Sequence, residues 1–385
     1  MSNLLDKASI ILTPTAYNNG TTLCVKPSDG TGDFDFSRAT EATRVNSQGL
    51  VETIGINLPR INYEGFSYDG SGNVVLDSGC GSWLWEPQST NLVTYSEDFS
   101  QASWLNVGSL AITSNYGISP DGTLNSTRVQ FAGSSNSLYD TIPHAIGDTS
   151  SIYVKGVSGE TLQFGAGANV AAGQLFTLNG DWQRLDFNST GSAIFCVGTF
   201  LSATARDIEV WGAQLEQQSY ATSYIPTSGT TVTRNQETCI NATPEINSEE
   251  GVLYAEISAL ADDGTFRSIA LSDGTINNRI IIFYSDELSE LRAIIAYNGI
   301  FQTIINTNIN VTDTNKIALK YRLNDVALWI NGVEISVGNS ATMPLGLNRL
   351  SFDRGDGANN FFGNTKDLQY YPKALSDAEL IKLTT

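Results

Sequence analysis

Residues 83–99 read W-L-W-E-P-Q-S-T-N-L-V-T-Y-S-E-D-F, from Trp83 to Phe99. Pro87 has no backbone N–H and restricts Glu86 to extended conformations, so this stretch is a strap and not a helix. A Gly-rich segment precedes it, and short strand-like runs follow it to the end of the chain. The expected architecture is all-β: an N-terminal β-rich arm, residues 1–85, followed by two antiparallel, jelly-roll-like β-sandwich domains at 86–235 and 245–385.

Outward from the strap, composition narrows the choices. At 385 residues the chain exceeds one ordinary domain, and two or three could each bury a core. Lys and Arg number 21 against 40 Asp and Glu, a net charge of −19 with no basic cluster. Phosphate contacts need clustered Lys and Arg, so nucleic acid is not an expected partner. Only 16% of residues are charged while Gly numbers 35, a balance that favours strands and tight turns over helices. No apolar run approaches the ~18 residues of a membrane helix, and residues 1–11 lack the basic start and cleavage site of a signal peptide. A soluble protein made in the cytoplasm, with no membrane insertion, is the expectation.

Cys24, Cys80, Cys196 and Cys239 stand far apart without a C-x-x-C pair, and His144 is the one His. These read as isolated buried thiols and a turn residue, not a zinc site. Asp29, Asp33 and Asp35 hint at a calcium loop, but their spacing departs from the EF-hand pattern and a solvated turn explains them. Calcium stays possible and no other cofactor is expected.

Within the arm, alternating pieces at 8–12 and 49–56 are broken by Gly-rich turns at 28–32 and 69–73. So few strands suggest that the arm packs on a neighbouring copy or another protein, or else covers the first sandwich. In the middle region, strands are expected at 111–114, 126–131, 150–155, 161–164, 183–186, 193–199 and 207–215. Asp207 and Glu209 fall on one face of the last of these, as in sandwich-type glycoside hydrolases. Trp211 stands where a further acid would be wanted, so no catalytic residue is assigned and the chain is expected not to be an enzyme. His144, in Ile142-Pro143-His144-Ala145, lacks a nucleophile elbow or oxyanion loop around it.

The last region carries strand patterns at 252–259, 268–271, 279–284, 291–297, 300–306, 315–323, 326–330, 333–337 and 349–352. Asn298-Gly299 and Asn331-Gly332 sit between apolar runs, the pattern of two-residue hairpins. Ser376 with Glu379 is a capping box for a short terminal helix. Sugars are held by aromatic faces and by Asp or Asn side chains, sometimes around calcium. The loop Asp353-Arg354-Gly355-Asp356-Gly357-Ala358-Asn359-Asn360 beside Phe361 offers that chemistry. Asp353, Arg354, Asp356, Asn359, Asn360 and Phe361 are therefore the candidate glycan-binding residues, ahead of the turns Asp262-Asp263-Gly264 and Asp273-Gly274.

Four motifs carry a resemblance to virion proteins of tailed bacteriophages: Phe36 to Asn46, running on to Glu52; Pro59 to Tyr63; Glu86 to Leu92; and Tyr95-Ser96-Glu97-Asp98-Phe99. The likeness spans roughly the first 235 residues and closes on Trp211 to Glu216 and Tyr220 to Thr227. There the middle region resembles a carbohydrate-binding module. The last region resembles a concanavalin- or laminin-G-like lectin sandwich, on Lys320-Tyr321, Asn324 to Val333 and Asp367 to Leu380. The resemblance implies a structural protein displayed on the tail or particle surface, localised to the virion. It also implies other virion proteins and host-surface glycans as partners, and a homo-oligomer, trimer or ring. A head-decoration or tail-connector part, or a polysaccharide depolymerase using Asp207 and Glu209, are the alternatives.

Overall fold

Asn298 and Gly299 turn the chain with φ of 50° and 77°, and Asn331 and Gly332 with 49° and 82°. Two successive positive φ values match the twist of the flanking strands, so each pair closes a tight antiparallel hairpin. The first joins Glu290–Tyr297 to Ile300–Asn308 and the second Val326–Ile330 to Val333–Gly338.

The computed structural model describes residues 4–63, 66–68, 74–76, 80–165, 173–189, 193–200, 204–338 and 341–385. Strand takes 48% of the chain and helix 3%, so the class is all-β with antiparallel sheets. The chain forms two units, one of Met1–Ala39, Ile54–Pro87 and Gln236–Thr385, the other of Thr40–Thr53 and Gln88–Asn235.

In the first unit an eight-stranded sheet runs in the order Val333–Gly338, Val326–Ile330, Asn315–Arg322, Glu250–Ala259, Gly363–Tyr371, Ser82–Trp85, Ile61–Asn62, and Ile10–Leu12 also pairs with Gly363–Tyr371. A five-stranded sheet runs Ile300–Asn308, Glu290–Tyr297, Arg279–Tyr284, Arg267–Ser272, Arg349–Ser351. Alternation sends Leu253, Ala255 and Ile257 into one core with Ile280, Ile282, Leu291 and Ile295 of the second sheet. Val252 and Tyr254 point the other way, under Leu380 and Leu383 of the terminal helix Asp377–Thr384. The capping box of Ser376 and Glu379 opens that helix.

Here the arm departs from expectation. Trp83 pairs with Thr365 and Trp85 with Gly363, while Ile10 pairs with Tyr370 and Leu12 with Leu368. An edge strand presents unpaired N–H and C=O groups, and the arm satisfies those of Gly363–Tyr371 within its own chain. Trp83 and Trp85 are buried in the same core as Phe34, Phe36 and Phe352, and the Trp85 Nε1–H donates to Thr365 Oγ1 at 3.1 Å. Each such aromatic contributes about 1.5–3 kcal/mol through burial. The unit thus draws residues 1–39 and 54–87 in with 236–385, where the sequence suggested a boundary at 85.

The core of the second unit lies between two five-stranded sheets. One is ordered Leu105–Val107, Ser137–His144, Ala193–Gly198, Thr161–Phe164, Gln174–Thr177, the other Leu110–Thr113, Thr127–Phe131, Arg206–Glu216, Thr149–Lys155, Gln183–Asn188. Leu138, Phe164, Phe195 and Val197 of the first meet Val129, Phe131, Ile152, Val154, Ile208 and Val210 of the second. His144 ends a strand and is buried, and does not sit in a turn as its neighbours Pro143 and Ala145 suggested.

Candidate functional site

The loop after Arg349–Ser351 closes on itself. Arg354 N donates to Ala358 O at 2.8 Å, and Phe361 N to Phe352 O at 2.9 Å. Positive φ at Gly355, Gly357 and Asn359 lets it turn back so tightly. Asp353 is buried, and its Oδ1 accepts the Gly355 N–H; burial pushes its carboxyl up. The Arg354 fork donates to Asp356 through Nε at 3.1 Å and Nη2 at 2.7 Å, which holds the Asp356 carboxyl down. Asn359 and Asn360 are half-buried. Phe361 is only 2% exposed and packs on Phe352 and Tyr284, so it offers no ring face to a sugar and leaves the candidate set.

Beside this loop lies a residue that the sequence reading did not single out. Arg279 opens Arg279–Tyr284 and pairs with Ser272 of Arg267–Ser272. It is 7% exposed, and its Nε and Nη1 have no hydrogen-bond partner among the described residues. A buried donor left unsatisfied costs about 1–3 kcal/mol, more when charged. Burial and the neighbouring Arg354 pull the guanidinium down, and Asp356 opposes them. Only its position at the head of an otherwise apolar strand, Arg-Ile-Ile-Ile-Phe-Tyr, could have marked it.

A groove of about 480 Å³ opens on the second unit, lined among others by Gln130, Phe131, Val157, Glu160, Arg206 and Asp207. Small-molecule sites run about 300–1,000 Å³. Strand register builds its floor, since Leu110, Phe131 and Arg206 are laterally paired, as are Ala111, Gln130 and Asp207. Arg128 donates to Asp207 through Nε at 2.8 Å, Gln130 Nε2 adds a bond at 3.1 Å, and Arg128 holds the Asp207 carboxyl low. Glu209 accepts instead from Ser126 Oγ at 2.6 Å. The two acids of the hydrolase alternative therefore have separate partners, and only Asp207 lines the groove.

The other suggested acids have hydrogen-bond partners within the chain. Asp29 accepts from Thr31, Asp33 from Cys24 N, and Asp35 from Asn241. Asp262 accepts from Ser289, Asp263 from Thr265 and Arg267, and Asp273 from Thr275 and Asn278. Among the described residues no group of three or more His, Cys, Asp and Glu side chains gathers as for a metal ion. Cys80 is exposed, against the expectation of buried thiols, whereas burial raises the thiols of Cys24, Cys196 and Cys239, Cys196 to about 12. His144 Nδ1 lies 3.4 Å from Ser150 Oγ, and Nε2 has no partner; burial lowers the imidazole to about 4 against the pull of Asp148.

The motifs behind the phage resemblance are framework. In the first unit Arg60 donates from Nε to Glu237 Oε1 at 2.9 Å, and from Nη2 to Glu237 Oε2 and Glu86 Oε2, both at 2.7 Å. Arg38 Nη1 donates to Glu237 Oε1 at 2.6 Å and Nη2 to Gly55 O at 2.6 Å; all four charged side chains are at most 2% exposed. Burial pulls the Arg60 guanidinium down, and Glu237 and Glu86 more than offset it. In the second unit Asn91 Nδ2 donates to Ile225 O and Ala213 O, its Oδ1 accepts from Val93 N and Leu215 N, and Glu216 accepts from Ser89 Oγ and Thr222 N. All of these side chains are buried.

No family model matches the chain, and no curated protein matches it. Solved structures with partial likeness include the CBM40 of a Ruminococcus gnavus IT-sialidase bound to alpha2,3 sialyllactose. It is 17% identical over 36% of this chain and 83% of that one, with a TM-score of 0.31. Domain 4 of AbnA, a GH43 extracellular arabinanase from Geobacillus stearothermophilus in complex with arabinotriose, is 12% identical over 44% of this chain and 84% of that one, TM-score 0.29. A heptameric SAP-like pentraxin from Limulus polyphemus is 11% identical over 36% and 70%, TM-score 0.28. Scores this low assign no ligand to this chain.

Proposed function

We propose that the protein is a structural virion protein of a tailed bacteriophage that binds host-surface glycans without cleaving them. The observation that carries the binding half is the open groove of the second unit, where Gln130, Glu160, Arg206 and Asp207 offer donors and acceptors for hydroxyl groups beside the exposed apolar side chain of Val157. Asp207, held ionised by Arg128, is poorly suited to give up a proton, which favours binding over acid-catalysed cleavage. The phage half rests on the sequence motifs of the framework. Shallow sites of this kind gain strength through multivalency when many copies are displayed on one particle.

A purely architectural role has its own support in the exposed Ile300, Phe301 and Ile304 of one edge strand and Val333 and Val337 of another. Surfaces of that sort suit contacts with other virion proteins or further copies. Retention of the purified chain on host-type surface polysaccharide, with new reducing ends assayed in parallel, separates the readings. Retention without new ends, weakened about tenfold by Gln130→Ala with Glu160→Ala, is the expected result, since each lost hydrogen bond costs about 0.5–1.5 kcal/mol. New reducing ends would make the chain an enzyme, and no retention would leave the architectural role.

A further inference from the structure

Deepening the glycan reading and resting on it, we infer that the first unit holds a second site, between Arg279 and the Arg354–Asp356 turn, that takes an anionic sugar: a ring bearing a carboxylate or a sulfate ester.

The strand ends bring the two sides of the proposed notch together. Ser272 is laterally paired with Arg279 on one side and with Arg349 on the other. Its Oγ donates to Gly355 O at 3.3 Å, and a Cβ at Gly355 would lie 2.8 Å from the Ser272 Cβ. A glycine there is what lets the turn lie against the strand end, beside Arg279. Two guanidiniums then share the charge of Asp356. Arg354 takes both oxygens of that carboxylate, while Arg279, more than nine-tenths buried, keeps Nε and Nη1 unanswered. An acid group is the natural partner for such unanswered donors.

Asp356 occupies Arg354 in the absence of ligand as an internal stand-in for that acid. A ligand acid entering the notch displaces it, answers Arg354 and Arg279 together, and restores charge balance. Asn359 and Asn360, half-buried on the same loop, are available to ring hydroxyls.

Affinity electrophoresis of the full chain through gels containing polygalacturonate, dextran sulfate or unmodified dextran tests this. Retardation at least about tenfold stronger by one of the two polyanions than by dextran is expected, and the responding polymer tells carboxylate from sulfate. Arg279→Gln should abolish that preference. Asp356→Asn, which frees Arg354, should strengthen retardation several-fold, an effect that a merely structural turn would not give. Equal retardation by all three polymers, an unchanged Arg279→Gln protein, or an Asp356→Asn protein weakened like Arg279→Gln would each overturn the inference. If the host-type polysaccharide is retained but neither polyanion is preferred, the glycan reading stands and this site falls. If nothing is retained anywhere, both fall.

Discussion

Two sets of buried arginines in the first unit have opposite bookkeeping. Arg38 and Arg60 are enclosed and meet Glu237 and Glu86 at 2.6–2.9 Å. Arg279 is nearly as buried and leaves two nitrogens unanswered, beside an Arg354 that shares its acid. A closed network fixes a backbone path and asks nothing of solvent. An open one carries an unsatisfied charge, which is a reason to look for a ligand. The closed set lies on the motifs of the phage resemblance, the open set beside the loop proposed to bind.

The comparison is broken most forcefully at Glu237. Glu237→Gln leaves two guanidiniums buried against one remaining acid, and should cost about 3–5 kcal/mol of stability in denaturant unfolding. A loss under about 1 kcal/mol would mean that the network is not framework at all.

Smaller effects come from two other buried groups with an unpartnered atom. His144 Nε2 and Asp367 Oδ1 are both unanswered. Burial lowers His144 to about 4, so the unfolded chain binds this proton first. Its contribution to stability, intact above the ordinary imidazole pKa of about 6.5, is lost as pH falls toward 4. His144→Gln should flatten that limb of the unfolding curve in the second unit. Burial raises Asp367 to about 7, with Gln369 opposing and Glu256 assisting. Here the native state binds the proton first, so stability rises as pH falls from about 7 toward the ordinary carboxyl range. Asp367→Asn should stabilise the first unit at pH 8 and match the parent near pH 4. Opposite signs in either variant would contradict the assignment of burial as the cause.

The smallest expected change is the most telling. Arg279→Met removes an unsatisfied buried cation, and should leave stability unchanged or raise it by about 1 kcal/mol. A drop comparable to that of Glu237→Gln would show that Arg279 is framework too.

The sequence disclosed the fold wherever chemistry is local. Asn-Gly pairs need positive φ, and alternating apolar runs such as 279–284 need a pleated face, so hairpins and most strands could be read directly. Strands with polar or irregular sequence escaped. Gly363–Tyr371 begins Gly-Asn-Thr-Lys-Asp, and Ser137–His144 carries Asp140, Pro143 and a register shift. The destination of the arm escaped too, because the edge that receives Ile10–Leu12 and Ser82–Trp85 lies some 280 or more residues away in the chain. At the candidate site, Arg354 and Asp356 were legible as loop chemistry, whereas the inward turn of Phe361 was not. Arg279 became visible only once Ser272 and Gly355 placed the loop beside it.

Thermal unfolding with and without polygalacturonate or dextran sulfate, run in parallel on the parent chain, Arg279→Met and Gln130→Ala, tests most directly whether an unanswered arginine marks a ligand site. Ligand that binds only the native state raises its stability, by about 2.7 kcal/mol at a hundredfold excess over the dissociation constant. The account predicts that one polyanion raises the melting temperature of the first unit in the parent and in Gln130→Ala, and not in Arg279→Met. An equal rise in all three proteins, or none in the parent, would contradict it.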